Sequence, residues 1–199
     1  MSQKAGQEES IAMAIRGLSG IDVMERCSLL GLPLPEAGVV RLRIFGRSHL
    51  LRQADFSLVL EESGQPGKLS DHILLLHYLL CDLPIRPSGQ FITFRDFPGG
   101  QFYWPSFLSR TVLPLTARIG NDLSRLPANL DRFDWEPMVL GDLSARVHVI
   151  GGLHLHLIYH CGDDEFPAAL DVLYDSCAKR VYGAEDASAI AHRICLGLM

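Results

Sequence analysis

The strongest constraint on the fold is a pair of apolar runs, residues 139–150 and 153–160, flanking Gly151-Gly152. A Gly-Gly pair has the backbone freedom a tight reversal needs, so the two runs predict an antiparallel hairpin. The same logic applies upstream. Val40, Leu42 and Ile44 alternate with Arg41 and Arg43, the pattern of a strand with one buried face. Gly46-Arg47 leads into a second strand over 49–51. Phe56, Leu58 and Leu60 mark a third, ended by Ser63-Gly64-Gln65-Pro66-Gly67. A three-stranded antiparallel start is predicted.

Helical spacing fills the gaps between these strands. Ile11, Ala14, Ile15 and Leu18 recur on one helix face ahead of Gly20, and Asp22 can cap a second helix ending near Leu30. Ser70-Asp71 can start a helix over 71–81. Its Ile-Leu-Leu-Leu-His-Tyr-Leu-Leu run is apolar on nearly every side, as in a buried helix. Residues 91–94 read as a short strand, 96–100 as a turn, and 103–130 as one or two helices broken near Gly120-Asn121-Asp122. From 167 to 199 the chain reads as mostly helical. The last helix starts near Ala184-Glu185-Asp186, where acids suit the positive end of the dipole. Residues 1–8 are expected to be a loose, disordered tail. The sum is a single α+β domain over 1–199, with a largely antiparallel sheet and helices packed on one face.

Composition narrows the function classes. The chain has 199 residues, enough for one core, and a net charge of −5 from 18 basic and 23 acidic residues. No run of like charge exceeds three, which argues against a nucleic-acid footprint. Arg41, Arg43, Arg47 and Arg52 fit the solvated faces of strands. Cys27, Cys81, Cys161, Cys177 and Cys195 are odd in number and widely spaced. A disulfide framework or thiolate zinc site is therefore not expected, and a reducing, cytoplasmic setting is. The longest nearly apolar segment, 73–81, is too short to span a bilayer, and residues 1–10 lack the pattern of a signal peptide. No nucleic-acid or membrane partner is expected; oligomeric state stays open.

Several pieces carry a family resemblance. They are Ile44-Phe45-Gly46-Arg47, then Ile73-Leu74-Leu75-Leu76-His77-Tyr78-Leu79-Leu80, then Phe94-Arg95-Asp96-Phe97-Pro98-Gly99-Gly100 with Phe102-Tyr103. Gly162-Asp163-Asp164-Glu165-Phe166-Pro167, Tyr174-Asp175 and Ala184-Glu185-Asp186 follow in order. With these, the chain resembles the family called domain of unknown function 3786, over roughly residues 20–199. The resemblance implies a bacterial or archaeal, intracellular, often anaerobe-associated domain, which some relatives join to an iron–sulfur module. This chain has no ferredoxin-like cysteine run, so no cluster of its own is expected. The family brings no established activity, and His154, His156 and His160 lie outside its pattern.

The chemistry-bearing residues support competing readings. His154 and His156 are two apart on a strand and face the same way, about 7 Å apart at Cβ, a usable platform for a divalent metal ion. His160 has the same parity but lies roughly 13 Å further on, and Asp163 or Asp164 would complete such a site. The alternative is a solvent-facing polar row opposite a Leu153, Leu155, Leu157 core face. Asp163-Asp164-Glu165 either form a structural pair with Arg95 or line a cleft with it. His77 and Cys81 share a helix face; they are a dyad wanting an orienting acid, or core residues. Pro98-Gly99-Gly100 offers backbone N–H groups to an anion or is only a turn, and Phe102, Tyr103 and Trp104 form an aromatic wall or core packing.

The favoured reading is a non-catalytic binding module with a cleft built from 94–103, 163–167 and His77. Its ligand-binding set is His77, Arg95, Asp96, Gly99, Gly100, Tyr103, Asp163, Asp164 and Glu165, with His154, His156 and His160 as metal ligands; a small molecule or a metal ion would bind. One alternative is an enzyme that uses His77, Asp163 or Glu165 for proton transfer. Another is an accessory protein of an anaerobic redox or methyl-transfer system. The favoured cleft requires Arg95 to meet the acids at 163–165.

Overall fold

Alternating burial organises a single eight-stranded sheet in the computed structural model, which describes residues 3–199. The strands are β1 (Val39–Ile44), β2 (Arg47–Arg52), β3 (Leu58–Leu60), β4 (Phe91–Thr93), β5 (Trp135–Pro137), β6 (Leu143–Ile150), β7 (Leu153–His160) and β8 (Ala169–Asp175). Their order is β3-β2-β1-β6-β7-β8-β4, with β5 also on β6, and every pairing is antiparallel. The helices are α1 (Gln3–Gly17), α2 (Val23–Leu30), α3 (Leu69–Leu80), α4 (Gly100–Arg110), α5 (Val112–Ile119), α6 (Leu126–Leu130) and α7 (Ala184–Gly197). The α+β class is as expected.

The two faces of the sheet differ sharply. Ala145 and Val147 of β6, Leu155, Leu157 and Tyr159 of β7, and Leu170, Val172 and Tyr174 of β8 are buried beneath the helices. Tyr174 donates from its hydroxyl to Ala187 O on α7 at 2.7 Å, and Tyr159 donates to Gly120 O just past α5 at 2.8 Å. The opposite face carries Arg146, His148, His154, His156, Ile158 and Asp171. A strand with one wet face must alternate in this way.

α3 is the buried helix predicted, with Leu74, Leu75, Leu76, Tyr78 and Leu79 all sealed. The Tyr78 hydroxyl donates to Leu30 O at the end of α2 and accepts from Gly152 N in the β6–β7 turn. Gly151 in that turn has φ 53°, and a Cβ there would lie 2.4 Å from the Tyr78 hydroxyl. Only glycine fits. α2 begins at its expected cap: Asp22 accepts from Met24 N and Glu25 N.

Two expectations are corrected. Within the supposed tail, residues 3–8 are the first turns of α1, where Lys4 and Glu8 stand 3.7 Å apart at i,i+4. Residues 1–2 lie outside the described ones. The segment after Pro167 does not begin as helix: β8 occupies 169–175, and Leu170, Val172 and Tyr174 alternate there with Asp171 and Leu173, ahead of the helical remainder. Helical propensity was outweighed by the place this segment takes beside β7, where the alternation buries one face.

Candidate functional site

The cleft expected between 94–103 and 163–167 does not form as an ion-paired site. Arg95 lies over the Trp104 ring, with its guanidinium carbon 4.3 Å from the centroid, and makes no ion pair with Asp163, Asp164 or Glu165 among the described residues. Asp163 is spent on its own loop, accepting from Glu165 N at 2.9 Å and Phe166 N at 2.7 Å; these bonds hold its carboxyl below the usual range. Asp164 and Glu165 are exposed. The loop docks instead on Asn121, whose side chain exchanges two hydrogen bonds with Gly162. The physical reason is local: an aspartate followed by two free N–H groups closes a turn at short range before a distant arginine can compete.

Several other members of that set make structural contacts. Asp96 accepts from Thr93 N at 2.8 Å and Thr93 Oγ1 at 2.9 Å, which lowers its pKa and closes the 3-10 turn Phe94–Asp96. Gly99 takes φ 80° at the start of α4, and a Cβ on Gly100 would lie 2.1 Å from Phe94 O. Phe94 stacks on Phe107 with ring centroids 4.2 Å apart, and Phe97 meets Tyr174 edge-on at 5.0 Å. Tyr103 is exposed. His77 Nδ1 stands 2.9 Å from Asp186 Oδ2 on α7; that bond, and then the charges of Asp186 and Glu185, raise its pKa against the lowering effect of burial.

The three histidines of β7 share a face, as their parity requires, but do not converge. His160 lies 3.7 Å from Asp171. His156 is buried, with its ring 4.4 Å from Phe91 and Nδ1 3.3 Å from Met138 Sδ. His154 turns toward β6. Among the described residues no three His, Cys, Asp or Glu side chains come together as a metal-binding group.

His154 belongs to a different constellation. It lines a cleft of about 330 Å³ with Asp131, Phe133, Asp134, Trp135, Glu136, Arg146 and His148. A bulge builds it. Ile150 pairs with Leu153, yet His148 pairs with His154 and Arg146 with His156, so Val149 is the extra residue. Without it, a two-residue turn would set His148 opposite Leu155, on the core side. With it, the His148 and His154 rings meet edge to face at 5.3 Å. Val149 O, turned outward, accepts from Phe45 N at 3.0 Å.

Carbonyl groups set the imidazole protons. A carbonyl only accepts, so His148 Nε2 carries the hydrogen bonded to Gly151 O at 3.0 Å. His154 Nδ1 has two rivals: Gly152 O at 3.2 Å, which needs a donor, and Arg146 Nη2 at 3.4 Å, which needs an acceptor. It can serve one at a time. Burial first, then the charges of Arg146 and His148, hold the His154 pKa down at about 4, so the ring is neutral near pH 7. Around it, Asp134 is held by Arg43, with Nη2 to Oδ1 at 2.7 Å, and Asp131 accepts from Trp135 Nε1 at 3.0 Å. Arg146 reaches Glu136 only at 3.3 Å, and that carboxylate is 72% exposed.

The family model for Domain of unknown function (DUF3786) matches residues 22–196. The chain belongs to that family. No curated protein and no solved structure matches it. All eight strands of this DUF3786 domain and the whole cleft lie within the matched region, and α1 lies outside it. The Phe-Arg-Asp-Phe-Pro-Gly-Gly and Asp-Asp-Glu-Phe-Pro pieces that carried the resemblance shape the 3-10 turn, the start of α4 and the loop before β8. No helix among the described residues is long and apolar enough to cross a membrane.

Sequence reasoning missed Arg146, His148, Asp131, Asp134 and Glu136 in this DUF3786 domain. One signal was present. The core positions are odd on both sides of the hairpin, at 145, 147 and 149 and at 153, 155 and 157. A regular turn closed by 150 and 153 pairs odd with even. The hydrophobic pattern therefore demanded a bulge, and a bulge puts 146 and 148 on the face of 154 and 156.

Proposed function

We propose that this domain is a non-catalytic binding module for a small polar ligand, seated in the cleft between β5 and the β6–β7 hairpin. The observation that carries the reading is the convergence of Arg146, His148 and His154 on one cleft of about 330 Å³, the size of small-molecule sites. Two of the lining carboxylates are already engaged, Asp134 by Arg43 and Asp131 by the Trp135 indole, which favours binding over covalent chemistry. Rigidity supports it too: the imidazoles rest on carbonyl groups of a turn pinned by Tyr78. Five unpaired cysteines suit a reducing cytoplasm.

The test is a library of small polar molecules screened by NMR against the folded domain. Binding should move the amide signals of 131–136, 146–148 and 152–154 together, and Arg146→Gln should abolish the response. Hits that move only other regions would refute the assignment.

A second reading has its own observation. His77 has in Asp186 the orienting acid that a general base needs. It would make the domain an acid–base enzyme, with a pH–rate profile that Asp186→Asn alters. His77 does not line the cleft described above, so the binding reading leads.

A further inference from the structure

Arg146 is the least satisfied charge in the cleft. A guanidinium carries five N–H donors in a planar fork. Here its two polar contacts are both long: Glu136 Oε2 at 3.3 Å and His154 Nδ1 at 3.4 Å. Neither is the close, paired geometry an arginine makes with a carboxylate in plane. The contrast sits in the same cleft wall, where Arg43 grips Asp134 with two nitrogens and also donates to Gly46 O.

The other charges of the site are committed. Both Asp134 oxygens are engaged by Arg43. Asp131 Oδ1 holds the Trp135 indole. The His148 imidazole donates to Gly151 O, and His154 Nδ1 is contested between Gly152 O and Arg146. Glu136 is mostly in water, so giving up its long contact costs little. What remains in the cleft is a cation, 37% exposed, with the neutral His154 ring beside it and Asp131 and Glu136 as the acids that no arginine grips closely.

We propose that the cleft takes a small monoanion of the carboxylate class, which binds Arg146 side by side in place of Glu136 and leaves His154 Nδ1–H on Gly152 O. This deepens the binding-module reading and rests on it. The coupling follows from the two rivals of His154 Nδ1. Once both outward nitrogens of Arg146 face an anion, the arginine no longer asks Nδ1 for a lone pair. The proton then stays on Nδ1, and Nε2 becomes an acceptor. A divalent cation is disfavoured at the same spot, because Arg146 stands against the ring that would ligate it. A phosphate dianion would meet Asp131 and Glu136 with twice the repulsion. The charged and titratable groups facing His154 are Arg146 and His148 on β6, His156 on β7, Glu136 on β5, and Asp131 and Asp134 before it.

The experiment titrates the whole domain with matched probes: acetate, glycolate and benzoate; their amides acetamide, glycolamide and benzamide; ethylammonium; and inorganic phosphate. Amide chemical shifts report the cleft, and long-range imidazole ¹⁵N spectra report the His154 tautomer. Carboxylates should bind at least tenfold more tightly than their amides and drive His154 to the Nδ1–H form. Arg146→Gln should remove that preference. Glu136→Gln, which deletes the competing acid, should strengthen carboxylate binding several-fold, an opposite sign that a merely misfolded variant cannot produce. Amides or ethylammonium binding in the cleft as well as carboxylates would overturn the inference while leaving the binding module standing. Phosphate binding more tightly than every carboxylate would overturn the ligand class. If no probe perturbs the cleft at all, both the inference and the reading beneath it fall.

Discussion

His77 Nδ1 on α3 and Asp186 Oδ2 in the first turn of α7 lie 2.9 Å apart, joining two helices across 109 positions of sequence. The carboxylate raises the folded-state pKa of the ring above its ordinary 6.5. The pair therefore contributes its full stabilisation below that value and loses it as pH rises through the raised one. Asp186→Asn should cost about 1 kcal/mol at pH 6 and much less at pH 9. Urea unfolding of both proteins at the two pH values reads this directly. An equal loss at both would mean that the imidazolium is not stabilised.

His154 works in the opposite direction. Its folded-state pKa is depressed to about 4, so the contribution is present above pH 6.5 and lost as pH falls toward 4. The histidine ¹H titration of the native protein should leave His154 unmoved until well below pH 5. His154→Gln should flatten the acid limb of the stability curve.

Gly100→Ala drives a methyl group into Phe94 O, which would stand 2.1 Å from it. The backbone of the 3-10 turn cannot yield without unstacking Phe94 from Phe107. The loss should reach about 3 kcal/mol or more, seen as a shift in the urea midpoint. Asp164→Asn, at an exposed position in the other family-bearing segment, should stay within about 0.5 kcal/mol.

Arg95→Ala separates two pictures of that arginine. A guanidinium over Trp104 at an exposed site is worth about 0.5–1 kcal/mol. Breaking a buried arginine–carboxylate pair would cost about 3–5 kcal/mol. A small change in the unfolding midpoint is expected, with the cleft signals of 146–154 unmoved.

Tyr78→Phe strips the hydroxyl that donates to Leu30 O in a buried bond and accepts from the half-buried Gly152 N. The cost should be about 1–2 kcal/mol. Because Gly152 O is also the partner of His154, the imidazole ¹⁵N signals should shift although Tyr78 never touches that ring.

Much of this architecture was legible because it follows from period and punctuation. β1, β2, β7, α2 and α3 sit where alternation, Gly-Gly, Asp22 and an all-apolar helix put them. β8 was misread because Pro167 and the acidic loop gave no strand boundary, and three alternating pairs are a short signal. The site was harder for a different reason. Asp163 and Asp96 looked like chemistry because acids cluster there, but each closes its own turn, a use that short-range geometry always offers an aspartate. Arg146 and His148 looked like ordinary strand residues. Only the odd-to-odd parity across Gly151-Gly152 betrayed them, and reading it required treating the hydrophobic pattern as a constraint on register. Asp186, as the partner of His77, left no local trace.

The ladder between β1 and β6 consists of one pair, Ile44 with Ile150, so the three-stranded leaf β1–β3 meets the rest of the sheet along a seam one residue wide. Main-chain bonding along that line is sparse, with Phe45 N on Val149 O beside the single pair. Two further contacts reinforce it: the Arg43 side chain on Asp134, and the Gly46 backbone packed closely against the backbone of Phe133. Asp134 and Phe133 are also wall residues of the cleft. The packing of the leaf and the shape of the cleft wall therefore share the same two residues.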